Sequence, residues 1–252
     1  MTENIATGIT DYSVGLFDLD ANGRASILTI ADCLQEAGMD HGFLLLERGG
    51  MAVDPDIGFV LTRLQIRMER YPRWKENIRI MTWLSPVSGN YIIRNFILSD
   101  NEGKQLGAAI NSAVPFSLEH RKVVPVPDEG RAIMVSDREP PLPHYFNKLN
   151  RPEGDLLEGS VVTGFFDCDL YGHVNNVRYI QWGLDVLPHD LISNLFLAEV
   201  DINFRSEADA GSRIIIQAGN AETGNGREYL HSLAREDSGR DLVVMKSRWE
   251  TQ

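Results

Sequence analysis

Residues 166–173 read Phe-Asp-Cys-Asp-Leu-Tyr-Gly-His, and residues 17–24 read Phe-Asp-Leu-Asp-Ala-Asn-Gly-Arg. Both stretches fit the pattern F-D-x-D-x-x-G-(R/H), so the chain carries an internal repeat, with residues 17–24 as its first copy and residues 166–173 as its second. Each copy follows a strand-like segment and precedes an apolar stretch with helical spacing. Because motif and element order recur together, a duplication is favoured over the chance recurrence of Asp and Gly in turns.

The same order of elements surrounds each copy. In the first half, residues 27–38 have apolar side chains at helical spacing and Gly38 is the predicted C-cap; in the second half, residues 176–187 form a helix that Pro188 stops. Each half also contains five strand-like segments, at 10–16, 59–71, 77–84, 91–99 and 105–118, and at 160–165, 198–205, 212–218, 228–235 and 242–249. Each half therefore reads β-α-β-β-β-β, which predicts an α+β domain with one helix against an antiparallel sheet.

A proline-rich stretch separates the two halves. Residues 125–152 contain six of the eleven prolines and are predicted to form a linker. The predicted N-terminal domain is then residues 1–124, and the predicted C-terminal domain is residues 153–252.

Composition excludes several classes of protein. The chain is 43% hydrophobic and 24% charged, as ordinary globular proteins are. Its net charge of −12 argues against nucleic-acid binding, which needs a basic surface. No apolar run approaches the roughly 20 residues that cross a bilayer, and residues 1–10 lack the features of a secretory signal. We therefore expect a cytoplasmic protein with no membrane span and no nucleic-acid partner.

The second copy holds residue types suited to acyl transfer. It continues into Val174, Asn175 and Asn176 at the start of the predicted helix, where unpaired backbone N–H groups are candidate donors to an oxyanion. The imidazole of His173 can orient or deprotonate water, and Asp169 is predicted to fix its tautomer. Together these residues predict transfer of an acyl group to water.

Residues 167–182 resemble the central signature of the acyl-acyl carrier protein thioesterases of plants and bacteria, whose helix opens with Asp-x-Asn-x-His-Val-Asn-Asn. By this resemblance Asp169 and His173 match the family's catalytic Asp and His. Tyr171 stands in place of the family's Asn, and we expect it to line the site. Residues 203–208 stand in place of the family's Arg-Arg-Glu-Cys strand motif, so that Glu207 matches the catalytic Glu and Ala208 replaces the Cys.

The resemblance implies a tandem double hot-dog fold, in which each half packs one central helix against a curved antiparallel sheet. It also implies hydrolysis of fatty acyl-acyl carrier protein to free fatty acid. Because Ala208 carries no thiol, water activated by Asp169, His173 and Glu207 is the expected nucleophile, with no cofactor. The first half, where Arg24 replaces His173, is expected to be non-catalytic and to hold the acyl tail. An acyl-CoA thioesterase and a catalytically silent acyl-binding module remain alternatives.

Metal binding is an alternative for each copy. Residues 18–23 fit the opening of an EF-hand loop, but Thr29 stands at the position of its bidentate Glu and no helix precedes it. Asp169 and His173 lack a third donor at ligand spacing. We therefore expect no metal site.

Basic residues gather on one predicted strand and the turn after it. Acyl carrier protein is acidic, so a chain of net charge −12 needs a local basic area to bind it. The candidate carrier-docking residues are Arg63, Arg67, Arg70, Arg73 and Lys75. A solvated sheet face is the alternative interpretation. Because two fused halves already form a pair, a monomer and a homodimer are both compatible with the sequence.

Overall fold

The structure, a computed structural model, describes residues 5–48, 54–126, 128, 131, 136–143, 148–223 and 226–251. The chain divides into two compact units, Met1–Tyr145 and Phe146–Gln252. The division falls inside the predicted linker, whose limits stay a prediction. None of the described helices has the length and apolar composition needed to span a membrane.

The N-terminal unit consists of one helix, α1 (Ile27–Arg48), and an antiparallel sheet. Its strands are β1 (Thr7–Ser13), β2 (Ile57–Met68), β3 (Asn77–Leu84), β4 (Ile92–Ser99), β5 (Gln105–Ser117) and the two-residue β6 (Lys122–Val123). In the sheet they follow the order β1-β3-β4-β5-β2, and β6 pairs with β5.

The C-terminal unit repeats this arrangement. Its helices are α2 (Asn176–Asp185) and α3 (His189–Asn194), and its strands are β7 (Leu156–Val162), β8 (Leu195–Phe204), β9 (Arg213–Thr223), β10 (Gly226–Arg235) and β11 (Asp241–Thr251). The strand order is β7-β9-β10-β11-β8, which matches the first sheet strand for strand. The predicted α+β class is therefore confirmed in both halves, while the short α3 was not predicted.

Helix α1 runs ten residues beyond its predicted end at Gly38. Glycine inside a helix costs about 1 kcal/mol relative to alanine, which is why the sequence suggests a stop there. A Cβ at Gly38 would stand 3.3 Å from Cδ of Arg94, so the glycine leaves room for this side chain from β4. Further along, Leu45 is buried against Leu84 and Ile92. This long-range packing extends the helix beyond what its local sequence indicates.

The core of each unit lies between its helix and its sheet. Fully buried residues include Ile30, Leu34, Ile66, Ile80 and Phe96 in the first unit, and Ile180, Ile202, Leu233 and Val243 in the second. Strand registers show that His231 in β10 occupies the position that Phe96 has in β4. Nε2 of His231 lies 2.8 Å from Oγ of Ser247, and burial lowers the pKa of His231 to about 3.

Part of the predicted linker packs on the units. Leu142 lies against Ile93, Ala108 and Ile110, on the face of the N-terminal sheet opposite α1. In the C-terminal unit, the N–H of Leu149 donates to Oδ1 of Asn203 at 2.8 Å. These described residues are therefore attached to the units.

Candidate active site

The first Asp of the repeated motif closes a short 3-10 helix in both copies. In the second copy, Oδ2 of Asp167 accepts the N–H of Gly164 at 2.7 Å. In the first copy, Oδ2 of Asp18 accepts the N–H of Gly15 at the same distance, 2.7 Å. The shared Asp is therefore a local structural residue.

The second Asp builds the tight turn that follows. Oδ1 of Asp169 accepts the N–H of Tyr171 at 2.9 Å, and the backbone N–H of Asp169 donates to the carbonyl of His173 at 2.8 Å. Gly172 has φ of 83°, a left-handed conformation that glycine adopts without a steric penalty. The side chain of Asp169 thus shapes the hairpin on which His173 lies.

The hairpin brings His173 to the segment after β8. The N–H of Val174 donates to the carbonyl of Ala208 at 2.8 Å, and His173 forms a β-bridge with Asp209. As a result, Nε2 of His173 lies 3.4 Å from Oε2 of Glu207. These side chains are 32% and 46% exposed, so the pair is open to solvent. The structure thus brings together two of the three predicted catalytic residues.

Asp169 has a different position from the one predicted. Within the described part of the chain, no hydrogen bond joins its carboxylate to the ring of His173, and its Oδ1 accepts the N–H of Tyr171 instead. The expected role of Asp169 in fixing the His173 tautomer therefore lacks the required contact. The hydrogen bond that the carboxylate does form lies within the turn that carries His173.

The start of α2 offers fewer free donors than predicted. The N–H of Val174 is bonded to the carbonyl of Ala208 at 2.8 Å, and the N–H of Asn175 to the carbonyl of Asp167 at 2.8 Å. The side chain of Asn175 caps the helix, as the sequence suggests. Val174 and Asn175 are therefore excluded as oxyanion donors, because backbone pairing of the hairpin uses both groups. Among the described residues, the N–H of Asn176 has no acceptor.

Tyr179 on α2 is a site residue that the sequence analysis missed. Its hydroxyl oxygen accepts the N–H of Ala208 at 3.2 Å, while the carbonyl of Ala208 accepts the N–H of Val174. Ala208, which follows Glu207, is thus held on both sides. Burial raises the pKa of Tyr179, and the nearby Glu207 carboxylate raises it further, so the phenol stays neutral. An aromatic residue on the buried face of a helix normally signals core packing, which is why its role was not apparent.

Tyr171 lies at the tip of the hairpin. Its ring is exposed, as are the side chains of Phe165, Phe166 and Leu170. In the described ranges, the Tyr171 hydroxyl makes no hydrogen bond, so it does not reproduce an amide's contacts there. A lining role for Tyr171 stays a prediction.

The five predicted docking residues do not share one surface. Arg63 is only 7% exposed, because it lies inside β2 beside a bulge, so its inclusion in a docking surface was wrong. Arg70 is paired with Glu76 and with Asp100, 3.2 Å away, which offsets its charge. Arg67 is exposed on β2, and Arg73 and Lys75 are exposed in the turn after it.

Metal ligands are not grouped in the described ranges, where no set of three or more His, Cys, Asp or Glu side chains is placed to hold an ion. In the first copy, Oδ2 of Asp20 lies 3.2 Å from Nε of Arg24. The carboxylate of Asp20, the third position of the EF-hand-like stretch, is thus paired with a cationic side chain.

Comparison with known proteins identifies the family. The acyl-ACP thioesterase N-terminal domain model matches residues 9–134, and the C-terminal domain model matches residues 157–251. The chloroplastic palmitoyl-acyl carrier protein thioesterase of Cuphea hookeriana is 26% identical over 260 residues, with 95% of this chain and 61% of that protein covered. That of Arabidopsis thaliana is 25% identical over 264 residues, with 96% and 63% covered. The chain thus spans about three fifths of the length of these relatives.

Solved structures share the fold. An acyl-ACP thioesterase from Bacteroides thetaiotaomicron superposes with a TM-score of 0.85 at 21% identity, with 99% of this chain and 100% of that chain covered. The 12:0-ACP thioesterase from Umbellularia californica gives a TM-score of 0.84 at 19% identity, with 98% and 95% covered. The predicted tandem hot-dog fold is therefore confirmed. Since the family's two domain models together match most of the sequence, the chain belongs to the acyl-ACP thioesterase family.

Proposed function

We propose that this chain hydrolyses the thioester of fatty acyl-acyl carrier protein and releases free fatty acid and the carrier thiol. The observation that carries the proposal is the 3.4 Å approach of Nε2 of His173 to Oε2 of Glu207, beside the start of α2. Family membership and relatives named palmitoyl-acyl carrier protein thioesterase support the choice of substrate.

The chemistry begins with a water molecule held by the pair. Glu207 and His173 together accept one proton from this water, and the resulting hydroxide adds to the thioester carbonyl carbon. Negative charge develops on the carbonyl oxygen, where the N–H of Asn176 at the positive end of the α2 dipole stabilises it. The C–S bond then breaks, and the pair returns the proton to the departing thiolate. The products are a fatty acid and the thiol of the carrier's prosthetic group.

Other residues of the site serve this pair indirectly. Asp169 holds the turn that carries His173, and Tyr179 holds the backbone beside Glu207. Tyr171 lines the open side of the site. Ala208 is fully buried and has no thiol, which leaves activated water as the nucleophile.

Thiol release from palmitoyl-acyl carrier protein and from palmitoyl-CoA tests the proposal. The wild-type chain should hydrolyse the carrier thioester, and His173→Ala and Glu207→Ala should each lower kcat by about 10²-fold or more. Preference for palmitoyl-CoA would make the chain an acyl-CoA thioesterase. Absence of hydrolysis with both substrates would favour a silent binding module, and unchanged rates in both variants would exclude this site.

A further inference from the structure

Apolar side chains are exposed beside the first copy of the motif, in the unit without the catalytic pair. Phe17 is 100% exposed, and Leu16 and Trp74 are each more than half exposed. Backbone pairing holds these residues together, because the N–H of Lys75 donates to the carbonyl of Val14 at 2.9 Å. We call Leu16, Phe17, Arg73, Trp74 and Lys75 the N-terminal hairpin surface.

The charge on this surface is positive. Arg73 and Lys75 are exposed, and among the described residues neither forms an ion pair with a carboxylate. Nζ of Lys75 instead lies 4.5 Å from the centre of the Trp74 ring, a cation–π contact. Nearby cations are already offset, since Arg24 pairs with Asp20 and Arg70 pairs with Glu76 and Asp100. Two uncompensated cations thus flank exposed aromatic rings on a chain of net charge −12.

We propose that the N-terminal hairpin surface docks the acyl carrier protein, with Arg73 and Lys75 facing its acidic groups and Trp74 and Phe17 packing against its apolar residues. Arg and aromatic residues are the types that contribute most at protein interfaces, and the positive charge selects an acidic partner from solution. The proposal rests on the proposed function for its choice of partner. Of the five predicted docking residues it keeps Arg73 and Lys75. It adds the apolar side chains of Leu16, Phe17 and Trp74.

A second copy of the chain is the competing occupant. The second motif copy also exposes apolar rings, and its surroundings include the carboxylates of Asp169, Glu207 and Asp209. Its charge would complement the N-terminal hairpin surface as well. We favour the carrier because the whole carrier protein is acidic. Its electrostatic attraction to the N-terminal hairpin surface therefore does not depend on the orientation of a single loop, as that of a second copy of the chain would.

Charge reversal with a matched control tests the surface. The variant Arg73→Glu/Lys75→Glu should raise KM for palmitoyl-acyl carrier protein about tenfold, with kcat and the hydrolysis of palmitoyl-pantetheine nearly unchanged. Added salt should raise the wild-type KM and leave the variant less affected. The control Lys104→Glu/Lys122→Glu reverses two exposed charges elsewhere in the same unit and should change KM by less than about twofold. Trp74→Ala should also raise KM for the carrier substrate alone.

Binding measured without turnover separates this proposal from the proposed function. Titration with holo-acyl carrier protein should give a dissociation constant about tenfold weaker for Arg73→Glu/Lys75→Glu than for the wild type or the control. Equal binding by all three proteins would overturn the docking surface, even if hydrolysis is observed. The docking surface would also be overturned if Arg73→Glu/Lys75→Glu lowered kcat/KM equally for palmitoyl-acyl carrier protein and for palmitoyl-pantetheine. A dimeric wild type that the reversal converts to monomer would overturn it as well, because the surface would then belong to a second copy.

Discussion

The two motif copies have the same turn and different side chains facing it. In the first copy, the N–H of Ala25 donates to the carbonyl of Pro72 at 2.7 Å, as Val174 does to Ala208 in the second. Pro72 therefore corresponds to Ala208, and Tyr71 corresponds to Glu207. The guanidinium of Arg24 lies 5.5 Å from the centre of the Tyr71 ring, at the position where the second copy pairs His173 with Glu207.

The comparison distinguishes the residues that form the turn from those that are candidates for catalysis. Both copies keep the two Asp and the Gly, whose hydrogen bonds and backbone angles form the turn. Only the second copy pairs a histidine with a carboxylate, the side-chain types that most often serve as general acids and bases; the first copy has Arg24 and Tyr71 there, and burial raises the pKa of Tyr71. On the proposed mechanism, the second motif copy holds a reactive pair and the first does not.

Among the single substitutions, the largest effect is expected from Glu207→Gln. The amide keeps the size and hydrogen-bonding capacity of Glu207 and removes its basic carboxylate, so kcat should fall about 10²-fold or more while KM stays within about threefold. Thiol release under saturating substrate measures this. In the first copy, Tyr71→Phe should leave kcat unchanged. A fall in kcat similar to that of Glu207→Gln would contradict the proposal that only the second copy is catalytic.

A buried position also differs between the units and predicts a pH effect. His231 replaces Phe96, and burial lowers its pKa to about 3, below the ordinary value of 6.5. The unfolded chain therefore binds a proton that the folded chain excludes, so this group's contribution to stability is present above pH 6.5 and is lost as the pH falls toward 3. The loss should be about 2 kcal/mol between pH 7 and pH 5.

Urea unfolding at the two pH values measures this loss. In His231→Phe, which copies the first unit, the difference in unfolding free energy between pH 7 and pH 5 should shrink by that amount. The exposed His189→Gln is the control and should retain the wild-type difference. Equal pH dependence in wild type and His231→Phe would contradict the assignment.

The hydrogen bond between Tyr179 and Ala208 has no counterpart in the first copy. Pro72 corresponds to Ala208 and has no backbone N–H to donate. Ile30 corresponds to Tyr179, and its side chain has no atom that accepts a hydrogen bond. Tyr179→Phe leaves the buried N–H of Ala208 unpaired and should lower the unfolding free energy by about 1 to 2 kcal/mol and kcat by several-fold.

A double variant sharpens this comparison. Adding Ala208→Pro to Tyr179→Phe removes the backbone N–H that the single variant leaves unpaired. The double variant should therefore lose less unfolding free energy than the sum of the losses in the two single variants. Strict additivity of the unfolding free energies would show that the two positions are not coupled.

The pH profile of kcat/KM should shift in Tyr179→Phe if the hydroxyl positions the Glu207 carboxylate, whereas lost packing alone would not move it.

The smallest effects are expected from the shared turn. Asp20→Ala and Asp169→Ala each remove one acceptor of a turn N–H and should destabilise the chain by similar amounts, about 1 kcal/mol each. Thermal unfolding measures both. Only Asp169→Ala should also lower kcat, because only its turn carries a reactive residue. A much larger kcat loss for Asp169→Ala than for Tyr179→Phe would restore a direct catalytic role for Asp169.

Local sequence predicted the parts of the molecule that depend on local interactions. The repeat, the order of elements along the chain and the position of His173 before α2 follow from periodicity, turn residues and family resemblance. The continuation of α1 past Gly38 depends on Arg94, 56 residues away, and the burial of Arg63 depends on the sheet around it. Likewise, the pairing of Val174 and the role of Tyr179 depend on Ala208, which no local pattern connects to the helix start.

We propose that, of the two motif copies, only the second holds a reactive pair, His173 and Glu207. The direct measurement is kcat/KM for palmitoyl-pantetheine in two folded variants, His173→Arg/Glu207→Tyr, which gives the second copy the pair of the first, and Arg24→Met/Tyr71→Phe, which removes the first copy's pair. We predict that kcat/KM falls at least about 10²-fold in His173→Arg/Glu207→Tyr and stays within about twofold of the wild-type value in Arg24→Met/Tyr71→Phe. A wild-type kcat/KM in His173→Arg/Glu207→Tyr, or a comparable fall in Arg24→Met/Tyr71→Phe, would contradict the proposed pair.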